Sequence, residues 1–253
     1  MDSLLKLTTL KKITLTAAIL LVVAAGCSSD KPAVTPDPET PELTEITWDF
    51  DNVDGWVYFH QDTATVDQWR LNEGCLELTT RANTYDRTKM HTERTDFADG
   101  TYRWRTYVPA IEPGEQVSVG SWIYHDDHHE LDFEVGSGTE TVRTELNAAP
   151  GELVACMTNQ DFPFKSGYCV IQPGWHDFEI KLTAGANGNY TATWSIDGTV
   201  RQTLPLEFGP EIGFHVYCSV ENLRFIGDYI SAHDYTALFD KASFTGNTST
   251  PAN

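Results

Sequence analysis

The eight residues His128–Val135, which read His-His-Glu-Leu-Asp-Phe-Glu-Val, constrain the fold of this 253-residue chain more than any other segment. Polar and apolar residues alternate strictly here. This pattern predicts a β-strand with one buried face, because successive side chains point to opposite faces of a sheet. The residues predicted to enter the core are Leu131, Phe133 and Val135. The residues predicted to share the open face are His128, Glu130, Asp132 and Glu134.

It is unusual for three carboxylates to share one face of a single strand. Neighbouring like charges repel and raise at least one pKa, so a purely structural strand has little reason to carry them. The backbones of Glu130 and Glu134 should lie roughly 13 Å apart, and inward-leaning side chains close much of that gap. A retaining glycosidase uses two carboxyl groups about 5 to 5.5 Å apart. The alternative is a solvated edge strand protected by charge, although edge protection needs only scattered charges.

The motif Glu130-Leu-Asp132-Phe-Glu134 resembles the Glu-apolar-Asp-apolar-Glu signature of glycoside hydrolase family 16. This is the laminarinase, lichenase and agarase group, which has a concanavalin A-like jelly roll. The resemblance implies Glu130 as nucleophile, Asp132 as its assisting carboxylate and Glu134 as acid/base. A similar spacing occurs in a cellulase-like family on the same fold. His129 departs from the family pattern, in which glycine commonly precedes the nucleophile.

Short alternating segments continue along the chain after residue 46. Asn72-Glu73-Gly74 and Asp197-Gly198 are turn signals, and Pro109 ends a long alternating segment that begins at Thr101. Strands with turns about every 8 to 12 residues and no helical period indicate a β-sandwich. Together with the resemblance, they predict an all-β, concanavalin A-like jelly roll of two antiparallel sheets over residues 46–246.

Residues 1–26 have the pattern of an export leader. Three lysines precede an apolar run over residues 13–25, shorter than the about 20 residues that span a bilayer and typical of a signal-peptide core. The small residues before Cys27 resemble a bacterial lipoprotein cleavage site, which implies that Cys27 is lipidated. Ordinary secretory cleavage is the alternative. Ser28 resembles the outer-membrane sorting class, so we expect a lipid-anchored protein at the outer membrane, on either leaflet.

Residues 27–45 combine prolines and acidic residues without apolar periodicity, which predicts an extended tether, and residues 247–253 are predicted to fray. The chain carries a net charge of −20, and removal of three lysines and one aspartate with the leader makes it −22. Such a charge repels nucleic acid and anionic lipid head groups. We therefore expect a monomer that contacts the membrane only through its lipid, with a polysaccharide that is not strongly anionic as its partner.

Four cysteines follow Cys27, and an even number favours disulfides in an exported protein. The sequence permits three connectivities. We predict one bond between Cys156 and Cys169 across a short polar loop, and another between Cys75 and Cys218. The chain has no Cys-x-x-Cys spacing, which argues against a zinc site of that type.

Aromatic and histidine side chains near the motif are candidates for sugar binding, because sugar rings present apolar faces. These candidates are Trp104, Trp122, Tyr124 and His128, with core positions as the alternative for the aromatic residues. Residues 125–129 offer metal ligands, but adjacent strand residues diverge, which favours a solvated hairpin tip. We expect no cofactor and no catalytic metal. Binding of a structural calcium ion is an alternative that the sequence leaves open. Glu221 and Asn222 are further candidates for a sugar contact, a turn being the plainer interpretation.

These features predict a secreted, lipid-anchored, endo-acting glycoside hydrolase that cleaves a β-linked polysaccharide with retention of configuration. One alternative is a lectin-like carbohydrate-binding domain, because a fold does not determine a function. The other is a polysaccharide lyase, which would need a Tyr or His base rather than paired acids. The sugar and the linkage stay open at this level.

Overall fold

The computed structural model describes residues 43–61 and 63–249, which form two antiparallel β-sheets and one short helix. The eight-stranded sheet consists of β1 (Thr44–Trp48), β3 (Trp69–Asn72), β4 (Cys75–Thr80), β6 (Phe97–Val108), β11 (Gly174–Ala184), β12 (Tyr190–Ile196), β13 (Thr199–Pro205) and β15 (Tyr235–Thr248). The seven-stranded sheet consists of β2 (Trp56–His60), β5 (Arg87–Thr92), β7 (Ser118–Asp126), β8 (His129–Gly136), β9 (Leu153–Asn159), β10 (Lys165–Ile171) and β14 (His215–Glu221). The predicted jelly-roll sandwich of two antiparallel sheets is confirmed.

The order of strands places β8 well inside its sheet. The seven-stranded sheet runs β10-β9-β8-β7-β14-β5-β2, and the other runs β13-β12-β11-β6-β15-β4-β3 with β1 paired to β15. β7 and β8 form the predicted hairpin, in which Trp122 lies opposite Asp132 and Tyr124 lies opposite Glu130. The motif strand is therefore flanked on both sides, which excludes the solvated-edge interpretation.

The apolar faces of the two sheets meet in one core. Leu131, Phe133 and Val135 are buried there, as predicted, and the Phe133 ring lies 5.0 Å from that of Phe178 on β11. Burial of each large apolar side chain contributes about 1.5 to 3 kcal/mol. This packing sets which side of β8 faces outward.

The turn signals fold as predicted. Glu73, Gly74, Asp197 and Gly198 all have positive φ, the conformation that a two-residue hairpin turn requires. Strand pairing extends from Thr44 to Thr248, two residues beyond the predicted domain at each end. The predicted leader, Cys27 and most of the tether lie outside the described residues.

One helix, α1 (Glu140–Leu146), was absent from the prediction. The Thr139 side chain caps its start by accepting a hydrogen bond from the Val142 N–H, and Asn147 ends it in the left-handed conformation. Seven residues are too few to show a helical period in the sequence. No helix within residues 43–61 and 63–249 is long and apolar enough to cross a membrane.

Both predicted disulfides are wrong, since the four cysteines of the sandwich are free thiols. Cys156 and Cys169 lie on paired strands but one residue out of register, so Cys169 packs against the core and Cys156 faces outward. Cys75 and Cys218 belong to different sheets, and Cys218 is fully buried in the core. Neither pair can approach without moving a strand.

We predict that Cys75, Cys156, Cys169 and Cys218 are all alkylated by iodoacetamide in denatured, unreduced protein, because each is a thiol in the folded chain. Peptide mass spectrometry with and without prior reduction measures the modified fraction at each position. Recovery of a disulfide-linked peptide pair among these four would contradict the structure.

Candidate active site

The outer face of the seven-stranded sheet carries the three carboxylates of the motif, and we call it the acid face. Glu130 and Glu134 are half-buried, whereas Asp132 is only 2% exposed. The residues that share this face by strand register include Trp122 and Tyr124 of β7, Tyr217, Ser219 and Glu221 of β14, Arg87 and Lys89 of β5, and Cys156 and Thr158 of β9. The acids are thus surrounded by polar and aromatic side chains.

Asp132 is held by bonds from two sides. The side-chain amide of Gln160 donates to Asp132 Oδ2 at 3.0 Å, and the indole N–H of Trp194 donates to the Asp132 backbone carbonyl at 3.0 Å. Asp132 Oδ1 finds no donor among the other described groups, while the Glu130 carboxyl lies within hydrogen-bonding reach of Asp132. A proton on Glu130 therefore completes the bonding of this buried aspartate.

Burial raises the pKa of all three acids. Loss of hydration raises the pKa of Glu130 to about 10, and repulsion by Asp132 adds to it. Loss of hydration also raises the pKa of Glu134 to about 8, with further repulsion by Glu221 and Glu130. The pKa of Asp132 lies well above its ordinary range, again chiefly through burial. The free site therefore holds protons among its acids at neutral pH.

Two cavities open on the acid face, and the acids are divided between them. The first, about 350 Å³, is named the Glu130 cavity and is lined by Phe59, Gln61, Arg87, Lys89, Trp122, Tyr124, Asp127, Glu130 and Tyr217. The second, about 320 Å³, is named the Glu134 cavity and is lined by Asp132, Glu134, Cys156, Thr158, Gln160, Phe164, Ser166, Tyr168 and Phe225. Aromatic rings in both offer apolar surfaces to a sugar.

Trp122 and Tyr124 lie beside Glu130, on the face where the sequence predicted them. Trp122 stacks on Tyr217 with ring centroids 3.9 Å apart, and its indole N–H donates to Ser219 Oγ at 3.0 Å. A Cβ at Gly120 would lie 2.3 Å from that same oxygen. Glycine at position 120 therefore allows the indole to lie against the sheet. Contact of Trp122 and Tyr124 with a sugar stays a prediction.

Two other predicted sugar contacts are placed elsewhere. The prediction for Trp104 is wrong, because Trp104 lies on β6 of the other sheet and is 1% exposed in the core. His128 is exposed in the turn before β8, where its backbone N–H donates to Asp126 Oδ1 at 2.9 Å. An irregular register near Tyr124 pairs Asp126 with His129, so β8 begins one residue after His128. His128 is consequently out of line with the acids.

The histidine-rich hairpin tip is held by local hydrogen bonds. His129 Nδ1 lies 2.7 Å from Asp126 Oδ1, and His125 Nδ1 donates to the Gly213 carbonyl at 2.8 Å. Within the described part of the chain, no group of three or more His, Cys, Asp and Glu side chains is arranged to hold a metal ion.

Sequence reasoning missed an ion cluster on the acid face, in which Lys89 and Glu221 are buried. Lys89 Nζ lies 2.9 Å from Glu221 Oε2, and the Arg87 guanidinium binds the same carboxylate. Glu221 belongs to β14 and not to the turn that the sequence favoured. The alternation Arg-Thr-Lys-Met-His in β5 and His-Val-Tyr-Cys-Ser-Val-Glu in β14 was the available signal.

A buried anchor holds the loop that completes the Glu134 cavity. Glu115 is 2% exposed and accepts hydrogen bonds from the Tyr235 hydroxyl at 2.5 Å and the Ala232 N–H at 2.9 Å. These bonds fix the segment that follows β14 and carries Phe225 to the cavity wall. Phe225 and Tyr168 remain largely exposed there, as expected of sugar-binding platforms.

A further cavity of about 650 Å³ lies beside α1 and shares no lining residue with the two acid cavities. Its one arginine, Arg143, donates to the backbone carbonyls of Ser137, Ala149 and Glu152 at 2.6 to 2.8 Å. That guanidinium is committed to the loop structure, so this cavity offers little chemistry.

We predict that Glu134→Gln stabilises the protein above neutral pH. The folded-state pKa of Glu134 is raised, so the folded chain binds its proton more tightly and loses stability as pH rises from about 4.5 to about 8. Gln does not titrate. The variant should gain at least about 1 kcal/mol, or about 2 °C or more in Tm, at pH 9 and nothing at pH 4.

Thermal unfolding across this pH range measures the effect. Glu179→Gln is the matched control, because Glu179 is an acid on the outer face of the other sheet, paired with Arg103. A Glu134→Gln variant whose Tm advantage is the same at pH 4 and pH 9 would contradict the buried, protonated state.

No protein-family model and no curated protein matches the chain. Solved structures do. The Crh5 transglycosylase is 18% identical, with a TM-score of 0.59 over 81% of this chain and 85% of that one. The laminarinase catalytic domain of Thermotoga petrophila RKU-1 is 13% identical, with a TM-score of 0.58 over 82% and 99% of the two chains.

A third match, the family 16 glycoside hydrolase of the Bacteroides ovatus mixed-linkage glucan locus, was solved with the product G4G4G3G. It is 12% identical, with a TM-score of 0.54 over 79% of this chain and 99% of that one. At such identities the likeness establishes the architecture alone. The chain has a jelly-roll fold like that of glycoside hydrolase family 16.

Proposed function

We propose that this protein is an endo-acting glycoside hydrolase that cleaves a neutral β-linked polysaccharide with retention of configuration. One observation carries the proposal: Glu130, Asp132 and Glu134 lie together on the acid face, between two aromatic-lined cavities. The fold supports it, since laminarinases and a mixed-linkage glucan hydrolase share this architecture.

The chemistry requires two carboxyl groups in different states. Glu130 attacks the anomeric carbon as a carboxylate, and Glu134 donates its proton to the leaving glycosidic oxygen. Glu134 then removes a proton from water, whose oxygen displaces Glu130 from the sugar. Asp132, within hydrogen-bonding reach of Glu130, exchanges a proton with it and assists its ionisation. These roles follow the family motif.

The free site has the opposite electrostatic order, because the pKa of Glu130 is raised further than that of Glu134. Glu130 must therefore lose the proton that it shares with Asp132 before it can attack. Because this order of pKa values is opposite to the one that the two roles require, each role is tested separately with variants of each acid.

A neutral substrate fits the charge distribution. The two cations on the acid face, Arg87 and Lys89, are both bound to Glu221, which leaves little free positive charge for a sulfated or carboxylated sugar. The chain as a whole carries a net charge of −20 and repels polyanions.

We also propose that the protein is exported and held at the outer membrane by a lipid on Cys27. The support is the apolar run that precedes the small residues and Cys27 in the sequence. Metabolic labelling with a fatty acid, compared between wild type and Cys27→Ser, tests this anchor.

We predict that Glu130→Gln and Glu134→Gln each lower kcat/KM on laminarin and mixed-linkage β-glucan by at least about a thousandfold, because each removes one half of the acid pair. Release of reducing ends measures activity, and Glu179→Gln serves as the control. Normal cleavage by Glu130→Gln would refute the assignment of the nucleophile.

Chemical rescue distinguishes the two roles. With an activated aryl glycoside and azide, Glu130→Ala should form the glycosyl azide of inverted configuration, since azide replaces the enzyme nucleophile. Glu134→Ala should form the azide of retained configuration, since azide attacks the glycosyl-enzyme. Exchanged configurations would reverse the two assignments.

A preference for neutral polymers is a separate prediction. Activity on laminarin or mixed-linkage glucan should exceed activity on carrageenan by at least about tenfold, because paired cations cannot compensate the sulfate groups. A panel of these polymers with agarose and xyloglucan measures it. Faster cleavage of the sulfated polymer would contradict the proposed substrate class.

Glycan binding without cleavage is the second candidate. The observation that favours it is the division of the acids between two cavities, with protons retained on both glutamates. Calorimetric binding of a β-glucan oligosaccharide by wild-type protein, with no reducing ends released between pH 5 and pH 10, would support this candidate over hydrolysis.

A further inference from the structure

We propose that the ion cluster of Arg87, Lys89 and Glu221 sets how many protons the motif acids carry, with Lys89 as the positioning residue that favours an ionised nucleophile. The catalytic meaning of this inference rests on the proposed function. Its electrostatic content can be tested whether or not the protein cleaves a polysaccharide.

Two of the three members of the cluster, Lys89 and Glu221, are buried. Lys89 and Glu221 are each 4% exposed, and Lys89 Nζ lies 2.9 Å from Glu221 Oε2. Lys89 also lies 5.6 Å from the Trp122 ring centroid. Removing charges from water costs several kcal/mol each, and apolar residues of similar size often stabilise a fold as well. The position of this cluster beside the acids points to an electrostatic role.

The strand between the cluster and the acids is covered by one apolar side chain, that of Trp122. Strand register places Ser219 between Lys89 and Gly120, and Gly120 directly opposite Glu134. Paired strands lie about 4.8 Å apart, so β14 and β8 are about 10 Å apart across β7. The Trp122 indole covers this gap, because its N–H donates to Ser219 Oγ at 3.0 Å and its ring would lie 3.0 Å from a Cβ at Gly120. The indole keeps water out, so the charges of the cluster act on Glu134 through a weakly screened path.

The local charges do not balance when every acid is ionised. The acids are Glu130, Asp132, Glu134 and Glu221, and the cations are Arg87 and Lys89. Two negative charges are left over in a buried setting, so protons are retained. The members of the cluster act in opposite directions: Glu221 raises the pKa of Glu130 and of Glu134, whereas Lys89 lowers both.

Several other titratable groups lie on the acid face, and Asp127 is the one carboxyl group among them. They are His91 of β5, Tyr124 of β7, the β7–β8 turn residue Asp127, His215 and Tyr217 of β14, Cys156 of β9 and Tyr168 of β10. Burial raises the pKa of Tyr124 to about 12, that of Cys156 to about 11 and that of Tyr217 further. Burial lowers the pKa of His91, so this ring is neutral as well.

The test compares Lys89→Met with Glu221→Gln. Lys89→Met removes a positive charge, so the carboxyl titrations and the acid limb of kcat/KM should move to higher pH. Glu221→Gln removes a negative charge, so both should move to lower pH. Glu221 lies two strands from Glu134 and Lys89 lies three, or about 10 to 15 Å. A unit charge at such a distance, at an effective dielectric of about 20, corresponds to about one pH unit. Lys89→Arg keeps the charge and should titrate close to wild type.

Carbon-13 NMR titration of the glutamate side chains supplies a readout that does not depend on activity. The inference is supported if the titration midpoints of both Glu130 and Glu134 move to higher pH in Lys89→Met and to lower pH in Glu221→Gln. Unchanged midpoints, or displacements in the same direction, would overturn it. An inactive protein whose carboxyl groups titrate as described would refute the proposed hydrolase and leave this inference standing.

A double variant covers the case in which Glu221→Gln fails to fold with Arg87 and Lys89 unpaired. Lys89→Met combined with Glu221→Gln removes one charge of each sign and leaves Arg87, which reaches solvent with 40% of its side chain exposed. Its displacement should be smaller than that of Lys89→Met alone. A displacement equal to that of Lys89→Met would show that Glu221 has no influence, which contradicts the inference.

Discussion

The burial of Leu131, Phe133 and Val135 against the other sheet is the interaction on which the acid face depends. Successive residues of a strand point to opposite faces, so the packing of these three side chains forces Glu130, Asp132 and Glu134 outward together. A shift of one residue would bury three carboxylates in an apolar core, at a cost of many kcal/mol. The core therefore selects the register that assembles the acids.

Repulsion among the carboxylates of the acid face is reduced by other groups of the protein. The Gln160 side-chain amide donates a hydrogen bond to the Asp132 carboxylate, and the Trp194 indole N–H donates one to the Asp132 backbone carbonyl. Glu221 holds two cations within the same face. Protons on the acids relieve the remaining repulsion, which links the charge state of the candidate catalytic groups to pH. The same carboxyl groups therefore affect both the free energy of unfolding and the proposed chemistry.

Local pattern was sufficient for much of the fold. The alternation around Phe133 and the hairpin turn at Asp197-Gly198 follow from side-chain period and turn conformation. The errors arose where partners distant in sequence decide the outcome. Trp104 has the same local pattern as a cleft residue, but its strand belongs to the opposite sheet.

The cysteines show the same limit from another side. Their even number and an export leader favour disulfides, yet pairing depends on which faces and which sheets the thiols occupy. Cys156 faces outward beside Glu134 while Cys169 packs against the core. A one-residue offset between adjacent strands produces this difference, and it arises only when the two strands pair.

The sequence by itself determined the strand period, the turns and the alignment of three carboxylates on one face of β8, because these follow from local backbone geometry. Only the tertiary structure decided that Arg87, Lys89 and Glu221 join those acids, and that aromatic residues from separate loops divide the face into two cavities. Such juxtapositions depend on strand order across the sheet, which no local pattern encodes.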